Sequence, residues 1–366
     1  MEALPSCGDD RLHVLENDRV YSTSITIVCW NVIPLTIFKG TETRGMRKGH
    51  DTPSTEDWKF GAEQFDTYLQ DKVIVHCSNS NMHKLTLDGI DVMGERLAQE
   101  VIEEINRRPQ IKKISFVAHS VGGLVARYAI GRLYKLPRQA LENTPQSLSD
   151  NSRGDIYGLE AVNFITVASP HLGSRGNKQV PFLFGVTAIE KIACCVIHFI
   201  FRRTGKHLFL TDNDDGNPPL LQRMVDDCGD LQFISALQTF KRRVAYSNVR
   251  YDHIVGWRTS SIRGSSELPK WVDSTSKIYP HIVYEELSKA ETLDQCADIT
   301  VVHKDNYTLE ELLLRGLKRV SWEKVDVSFH NSKVRSAAHS IIQVKDPIVH
   351  SEGADVIKHI IDHFVI

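Results

Sequence analysis

One segment of this sequence constrains the fold more than any other, because it joins a short strand, a serine and a helix within residues 112–128. Residues 114–117 form an apolar run of the kind found in a buried parallel strand. The helix that follows has one apolar face, formed at intervals of three and four residues by Leu124, Val125, Tyr128, Ala129 and Leu133. The sequence therefore predicts a strand-to-helix turn with Ser120 at its apex.

The turn itself has the composition of a nucleophile elbow. A sharp turn of this type holds a serine hydroxyl away from the main chain, and small neighbouring residues prevent the bent backbone from clashing. Ala118 stands where such turns usually carry their first glycine, and Gly122 and Gly123 follow the serine. The alternative is a serine at an ordinary strand-to-helix junction. The flanking strand and helix favour the elbow, so Ser120 is the candidate nucleophile.

Strands and helices alternate along much of the chain. Further apolar strands are predicted at residues 72–76, 161–168, 243–249 and 324–329. Helices are predicted at residues 89–105 and 352–364. Residues 139–155 have the composition of an exposed loop, and residues 175–240 form an insertion without an obvious sheet element. The alternation predicts an α/β fold with a mostly parallel, doubly wound sheet and helices on both faces.

Composition and charge exclude several classes of function. The 366 residues carry a net charge of −2, with 44 basic and 46 acidic residues mixed along the chain, so no basic stripe is available for nucleic acid. Seven cysteines without paired short spacings argue against a disulfide framework or a structural zinc site, and they fit a reducing compartment. His359 and His363 share a predicted helix face but lack a third ligand. We therefore predict no metal and no cofactor.

Two apolar runs bear on membrane contact. Residues 25–38 are too short to cross a bilayer and are predicted as strand plus loop. Residues 180–201 are long enough, but Glu190 and Lys191 in their middle disfavour insertion. This run favours an apolar helical insertion that covers a pocket or touches a lipid surface, with Arg202, Arg203 and Lys206 as interfacial cations. Since the first residues resemble neither a secretory signal nor a transit peptide, we predict a cytoplasmic location with peripheral membrane contact.

Partners for the serine occur later in the chain. A serine hydroxyl becomes nucleophilic when an imidazole takes its proton, and the imidazole needs a carboxylate to fix its tautomer. In a sheet of this type the acid and then the histidine follow the serine, each at the carboxyl end of a later strand. Asp252 and His339 satisfy that order. The alternative for Asp252 is an ordinary turn carboxylate. His253 is mispositioned as the base because its side chain, one residue further on, would point the other way. The other candidate histidines are His330, His350, His359 and His363.

An ordered set of motifs resembles the serine esterase and lipase-like family of α/β-hydrolases that is well represented in plants. The motifs are EDWKFG at 56–61, LDGIDVMGERL at 87–97, FVAHSVGG at 116–123, SPHLG at 169–173, YDHIVGWR at 251–258 and AH at 338–339. The resemblance implies an α/β-hydrolase in which Ser120 is the nucleophile, Asp252 the acid and His339 the base. It also implies ester bonds of acyl-lipid substrates and places residues 180–201 in the lid region.

The front of the chain departs from that family. Its members carry an apolar strand ending in His-Gly, followed by a backbone N–H that helps to bind the oxyanion. Here residues 25–29 are the candidate strand, and Trp-Asn-Val at 30–32 occupies the expected place of the pair. Val121 offers one backbone N–H to the oxyanion, and the identity of the second donor stays open. The sequence also leaves open whether this segment is an altered N-terminal start or a genuine divergence from the family. Loss of one donor typically costs about a hundredfold to a thousandfold in rate.

The sequence thus predicts a divergent segment at residues 1–53, partly strand and partly loop, and an α/β-hydrolase domain at 54–366 with a helical lid insertion at about 175–240. The predicted function is a serine ester hydrolase that cleaves acyl-lipid carboxylic esters through an acyl-enzyme, with activity reduced if the second oxyanion donor is missing. The alternatives are a catalytically impaired hydrolase fold acting as a lipid-binding or interaction protein, and an acyltransferase or thioesterase. Substrate chain length, head group and oligomeric state stay open.

Overall fold

A central sheet of seven strands organises the molecule. The computed structural model describes residues 58–136, 154–174, 202–213, 216–270, 276–291 and 308–366, together with the backbone of 24–29. The strands are β1 Ser24–Cys29, β2 Ile74–Cys77, β3 Lys113–His119, β4 Glu160–Val167, β5 Arg242–Asn248, β6 Ile282–Ser288 and β7 Trp322–Val327. Their spatial order is β6-β7-β5-β4-β3-β1-β2. Only β6 runs antiparallel to its neighbour, so the mostly parallel sheet is confirmed.

Helices connect the strands. They are α1 Lys59–Leu69, α2 Ile90–Arg107, α3 Gly122–Leu133, α4 Leu220–Arg223, α5 Phe233–Thr239, α6 Trp257–Ser260, α7 Leu309–Leu317, α8 Ala338–Ile341 and α9 Ala354–Asp362. Residues 202–209 are also helical. Two small two-stranded antiparallel sheets lie outside the central sheet and pair Tyr134–Lys135 with Asp155–Ile156 and Asp227–Cys228 with Leu231–Gln232. The second of them lies within the insertion for which no sheet element was predicted.

Two apolar layers enclose the sheet. Along β3, Ile114 and Phe116 pack with α2, α3 and α5, whereas Val117 packs with α1 and α9 on the opposite face. Neighbouring β4 alternates in the same way, with Phe164 in the first layer and Ile165 in the second. Both faces of these strands are therefore buried, which explains why they appear in the sequence as continuous apolar runs. The predicted helices on both faces are confirmed, and the topology is that of an α/β-hydrolase.

The predicted helices differ from the structure mainly in how much they bury. Helix α3 was expected to bury one face, yet Arg132 is its only exposed residue, because α2 and α5 cover the sides that the sheet leaves open. Helix α9 buries its predicted apolar face, and Phe364 just beyond it packs edge-to-face on Phe65 of α1 with ring centroids 5.2 Å apart. Among the longer elements, the edge strand β6 and helices α1 and α7 were not predicted.

Strand β1 belongs to the central sheet. It lies between β2 and β3 and runs parallel to both, and Cys29 pairs with Ala118 near the end of β3. The predicted strand at 25–29 is confirmed. Because parallel strands end at a common edge, the chain leaves β1 beside the turn that carries Ser120. The Trp-Asn-Val segment at 30–32 lies outside the described residues.

The helical residues 202–209 dock on the start of α2. Thr204 Oγ1 accepts a hydrogen bond from the Gly89 N–H at 3.1 Å and donates one to the Thr86 carbonyl at 2.8 Å. The Ile90 N–H donates to His207 Nδ1 at 3.0 Å. Two of the N–H groups that a helix leaves unpaired at its start are thereby satisfied by another segment of the chain.

One of the cations in this docked segment has a partner on α2. Arg203 forms an ion pair with Asp91 in the first turn of that helix, and the interfacial role of Arg202, Arg203 and Lys206 stays a prediction. The apolar run at 180–201 lies outside the described residues. Among the residues that are described, none belongs to a helix with the length and apolar character needed to cross a bilayer.

Acidification is expected to weaken the docking of residues 202–209. His207 Nδ1 accepts a hydrogen bond from the Ile90 N–H, so this nitrogen carries no proton and the ring is neutral. Burial lowers the pKa of His207 below its ordinary value of 6.5, and Arg203 and Arg223 act in the same direction, while Asp212 and Asp91 oppose them. Below pH 6.5 the unfolded chain takes up a proton that the folded chain excludes. The free energy of unfolding therefore falls by up to about 1.4 kcal/mol for each unit by which the pH is lowered.

Urea unfolding between pH 8 and pH 5 measures this dependence. The matched variant is His207→Asn, since an asparagine Oδ1 can accept the same N–H without titrating. Other buried histidines contribute to the total slope, so the prediction concerns the difference between the two proteins. Equal slopes for the native protein and the variant would show that His207 does not resist protonation.

Candidate active site

The turn after β3 holds its serine in an unusual backbone conformation. Ser120 has a φ of +55°, in the left-handed region that non-glycine residues rarely occupy. Its N–H donates to the Val167 carbonyl at 2.9 Å, and its own carbonyl accepts from the Gly123 N–H at 3.1 Å. These bonds on both sides hold a strained residue in place, as expected for a nucleophile elbow. Ser120 is only 2% exposed.

Close packing explains why a glycine follows the serine by three positions. A Cβ placed on Gly123 would lie 2.2 Å from Ser169 Oγ and 2.8 Å from Ser169 Cβ. Ser169 lies in the turn after β4, so the first turn of α3 rests directly on that neighbouring turn. Any side chain at 123 would push α3, and Ser120 with it, away from the sheet.

The structure brings together the three residues that the sequence proposed as partners. His339 Nε2 lies 3.0 Å from Ser120 Oγ, and His339 Nδ1 lies 2.9 Å from Asp252 Oδ2. Ser120 follows β3, Asp252 follows β5 and His339 lies in α8 after β7, so all three come from the carboxyl edge of the sheet. His339 is 3% exposed and Asp252 is 8% exposed. The arrangement is a buried hydrogen-bonded chain from hydroxyl to carboxylate.

The carboxylate of Asp252 is fully engaged. Its Oδ1 accepts from the Ile254 N–H at 3.0 Å and the Val255 N–H at 2.8 Å, and its Oδ2 accepts from Asn248 Nδ2 at 2.9 Å as well as from His339. Burial would raise the pKa of Asp252, but the neighbouring His339 and these hydrogen bonds outweigh it and lower the pKa below its usual value. An ionised carboxylate only accepts, so His339 Nδ1 carries the proton and Nε2 is free to accept from the Ser120 hydroxyl.

Two further residues contact the hydrogen-bonded residues Ser120, His339 and Asp252, and the sequence analysis missed both. Asn248 contacts Asp252 from the end of β5. His119, directly before the serine, donates through Nε2 to the His339 carbonyl at 3.0 Å, and the two rings are 4.5 Å apart. Burial, and then the nearby His339, lower the pKa of His119 well below its ordinary value, so this ring is neutral. Adjacency to Ser120 was the one signal that could have singled out His119.

The alternative candidates lie elsewhere. His253 is exposed, and His350 Nδ1 accepts from the Asp346 N–H in a surface turn. His359 is hydrogen-bonded to the Tyr246 hydroxyl at 2.8 Å and stacks on His363 at 4.2 Å, a packing arrangement. Across the described parts of the chain, no three His, Cys, Asp or Glu side chains cluster as metal ligands would.

The predicted oxyanion donor occupies the expected position in the backbone. Val121 follows Ser120 directly and lies at the start of α3, where the helix dipole favours negative charge on an approaching oxygen. Its role as a donor stays a prediction, and the segment expected to supply a second donor lies outside the described residues.

Comparison with known proteins identifies a family whose model matches this chain. Residues 45–264 match a family model described as "Putative serine esterase (DUF676)". The chain is 29% identical over 199 residues to "Putative lipase ROG1" of Saccharomyces cerevisiae, covering 53% of this chain and 24% of that protein. It is 27% identical over 187 residues to "Putative lipase C4A8.10" of Schizosaccharomyces pombe, covering 50% and 20%. The chain thus spans about a quarter or less of the length of these curated relatives.

Among solved structures, similarity is weaker. "Phospholipase PlaB from Legionella pneumophila" aligns with a TM-score of 0.32 and 11% identity, over 74% of this chain and 47% of that one.

Proposed function

The chain belongs to the family described as "Putative serine esterase" (DUF676), and we propose that it is a serine ester hydrolase acting through an acyl-enzyme. Ser120 is the nucleophile, His339 the general base and acid, and Asp252 the residue that orients the imidazole. The observation that carries the proposal is the continuous chain of contacts, 3.0 Å from Ser120 Oγ to His339 Nε2 and 2.9 Å from His339 Nδ1 to Asp252 Oδ2.

The geometry supports a two-step reaction. His339 Nε2 takes the Ser120 proton while Oγ attacks the acyl carbonyl, and the oxyanion of the tetrahedral intermediate accepts from the Val121 N–H. Collapse breaks the ester bond, and the imidazolium gives its proton to the leaving alcohol. Water then attacks the acyl-enzyme with His339 again as base, which releases the carboxylic acid and restores the Ser120 hydroxyl.

Acyl-lipid esters are the proposed substrate class. The support is that curated relatives carry the name putative lipase, and that the apolar run at 180–201 suits contact with acyl chains or a lipid surface. The proposal includes the lid role of residues 175–240, the divergent segment at 1–53, peripheral membrane contact and a cytoplasmic location.

Labelling with a fluorophosphonate probe tests the nucleophile. We expect one adduct per chain, carried by the peptide that contains Ser120, and no adduct in Ser120→Ala. Ser336→Ala removes an exposed serine close in sequence to His339 and should label as the native protein does. Absence of labelling in native protein, or equal labelling of Ser120→Ala, would overturn the proposal.

Ester hydrolysis tests the substrate class separately. Purified protein is assayed on p-nitrophenyl esters of increasing acyl length and on emulsified acylglycerols, with a competing alcohol in parallel reactions. The proposal expects free fatty acid as the main product. Labelled protein that forms only the acylated alcohol would be an acyltransferase, and acyl-ligand binding without either product would indicate a non-catalytic lipid-binding protein.

A further inference from the structure

A buried amide touches the carboxylate of the candidate triad. Asn248 is the last residue of β5 and is 1% exposed. Its Nδ2 donates to Asp252 Oδ2 at 2.9 Å, and the same oxygen accepts from His339 Nδ1 at 2.9 Å. One carboxylate oxygen is therefore shared between an amide that keeps its protons and an imidazole that must gain and lose one.

The other end of this amide is unsatisfied. Within the described part of the chain, Asn248 Oδ1 is buried and has no hydrogen-bond partner. A buried carbonyl oxygen without a partner lowers stability, and an apolar side chain of the same size would avoid that cost. Stability alone therefore does not explain an asparagine at this position, and its one good contact is with Asp252.

A second buried asparagine shows the difference. Asn163 of β4 is also fully buried, but both ends of its amide are used. Its Nδ2 donates to Ser115 Oγ at 2.9 Å and to the Val365 carbonyl at 2.7 Å, and its Oδ1 accepts from the Val365 N–H at 3.2 Å. Asn163 pairs with Arg242 at the start of β5, so it lies at the end of the sheet opposite to Asn248. It has the contacts expected of a structural amide.

We propose that Asn248 is a positioning residue that fixes the rotation of the Asp252 carboxylate and limits how strongly Oδ2 attracts the His339 proton. The inference rests on the proposed function of the same site. The Ile254 and Val255 N–H groups hold only Oδ1, so Asn248 and His339 together determine where Oδ2 points. The amide donor also withdraws negative charge from Oδ2, which keeps the imidazole ready to pass its proton to the leaving alcohol.

The test compares Asn248→Leu with Asn163→Leu. In Asn248→Leu we expect an unchanged or raised Tm, kcat lower on the order of tenfold with KM unchanged, and an acid limb of the kcat/KM profile moved up by about half a pH unit to one unit. In Asn163→Leu we expect a lower Tm with kcat and the acid limb unchanged. Asn248→Asp keeps the shape but replaces a donor by a second carboxyl, and its acid limb should move further upward because the added negative charge stabilises the protonated imidazole.

A proton NMR measurement keeps this test independent of turnover. The His339 Nδ1–H resonance, titrated with pH, should follow the same upward shift in Asn248→Leu. An unmoved acid limb and resonance in both Asn248 variants would overturn the proposal, as would a fall in Tm that accounts for the lost rate. Native protein without esterase activity but with a shifted resonance in Asn248→Leu would contradict the proposed function while supporting this inference.

Discussion

Replacing Asp252 with asparagine is expected to lower kcat about 10⁴-fold at neutral pH while leaving the fold intact. The change keeps the shape of the side chain and removes its charge. It acts on the tautomer of His339. In the native protein Nδ1 donates to Asp252 Oδ2, which leaves Nε2 to accept from Ser120. An amide in the same place reverses that arrangement because of how its two ends are held.

The local backbone decides which way the new amide points. The Ile254 and Val255 N–H groups donate to Oδ1, so the amide oxygen takes that position and the NH₂ group takes the position of Oδ2. There it faces two donors, His339 Nδ1–H and Asn248 Nδ2. The imidazole relieves the conflict by carrying its proton on Nε2, where it can no longer take the proton of Ser120.

Single-turnover phosphonylation of Ser120 by a fluorophosphonate probe and steady-state ester hydrolysis both measure this loss. Asp346→Asn is the matched control, because the Asp346 carboxylate likewise accepts from two backbone N–H groups, those of Ile348 and Val349, but in an exposed turn. We expect Asp346→Asn to react at the native rate. A kcat for Asp252→Asn within tenfold of the native value would mean that Asp252 does not orient the base.

Local signals explain which parts of the site could be predicted from the sequence. The strand, Ser120 and α3 are contiguous, so the spacing of apolar residues and the small residues around the serine sufficed to locate the elbow. Asp252 and His339 followed from a rule about strand ends that depends only on chain order. Asn248 and His119 were missed because their roles depend on which atoms meet in space, and neither an asparagine ending a strand nor a histidine before a serine predicts that contact.

Two of the elements that the sequence analysis did not predict, β6 and α7, were missed for different reasons. Among the described strands, β6 pairs only with β7, at the edge of the sheet, and its exposed residues include Glu285, so neither an apolar run nor a clean alternation marks it. Helix α7 did carry a signal. Thr308 caps it, accepting from the Glu311 N–H while the Glu311 carboxylate accepts from the Thr308 N–H, which is the S/T-x-x-E capping box. That pattern was available in the sequence.

The second large effect is expected from Gly353→Ala. A Cβ at this position would lie 1.8 Å from the carbonyl oxygen of Ile341 and 2.8 Å from its carbon. Both are backbone atoms of α8, so no side-chain rotation can relieve the contact, and α8 must separate from the turn that precedes α9. We expect a loss of about 3 kcal/mol in the free energy of unfolding, at the upper end of the range for overpacking. Because His339 lies two residues before Ile341, kcat should fall as well.

Gly264→Ala separates this steric effect from the general effect of removing a glycine. Gly353 has a φ of −75° and Gly264 one of −71°, so alanine is allowed by the backbone at both positions. The nearest atoms to a Cβ on Gly264 are 3.5 Å away, an ordinary contact. Urea unfolding should therefore show near-native stability for Gly264→Ala. If Gly353→Ala were equally stable, the close approach of α8 to this turn would not hold His339 in place, and its contacts with Asp252 and His119 would have to do so.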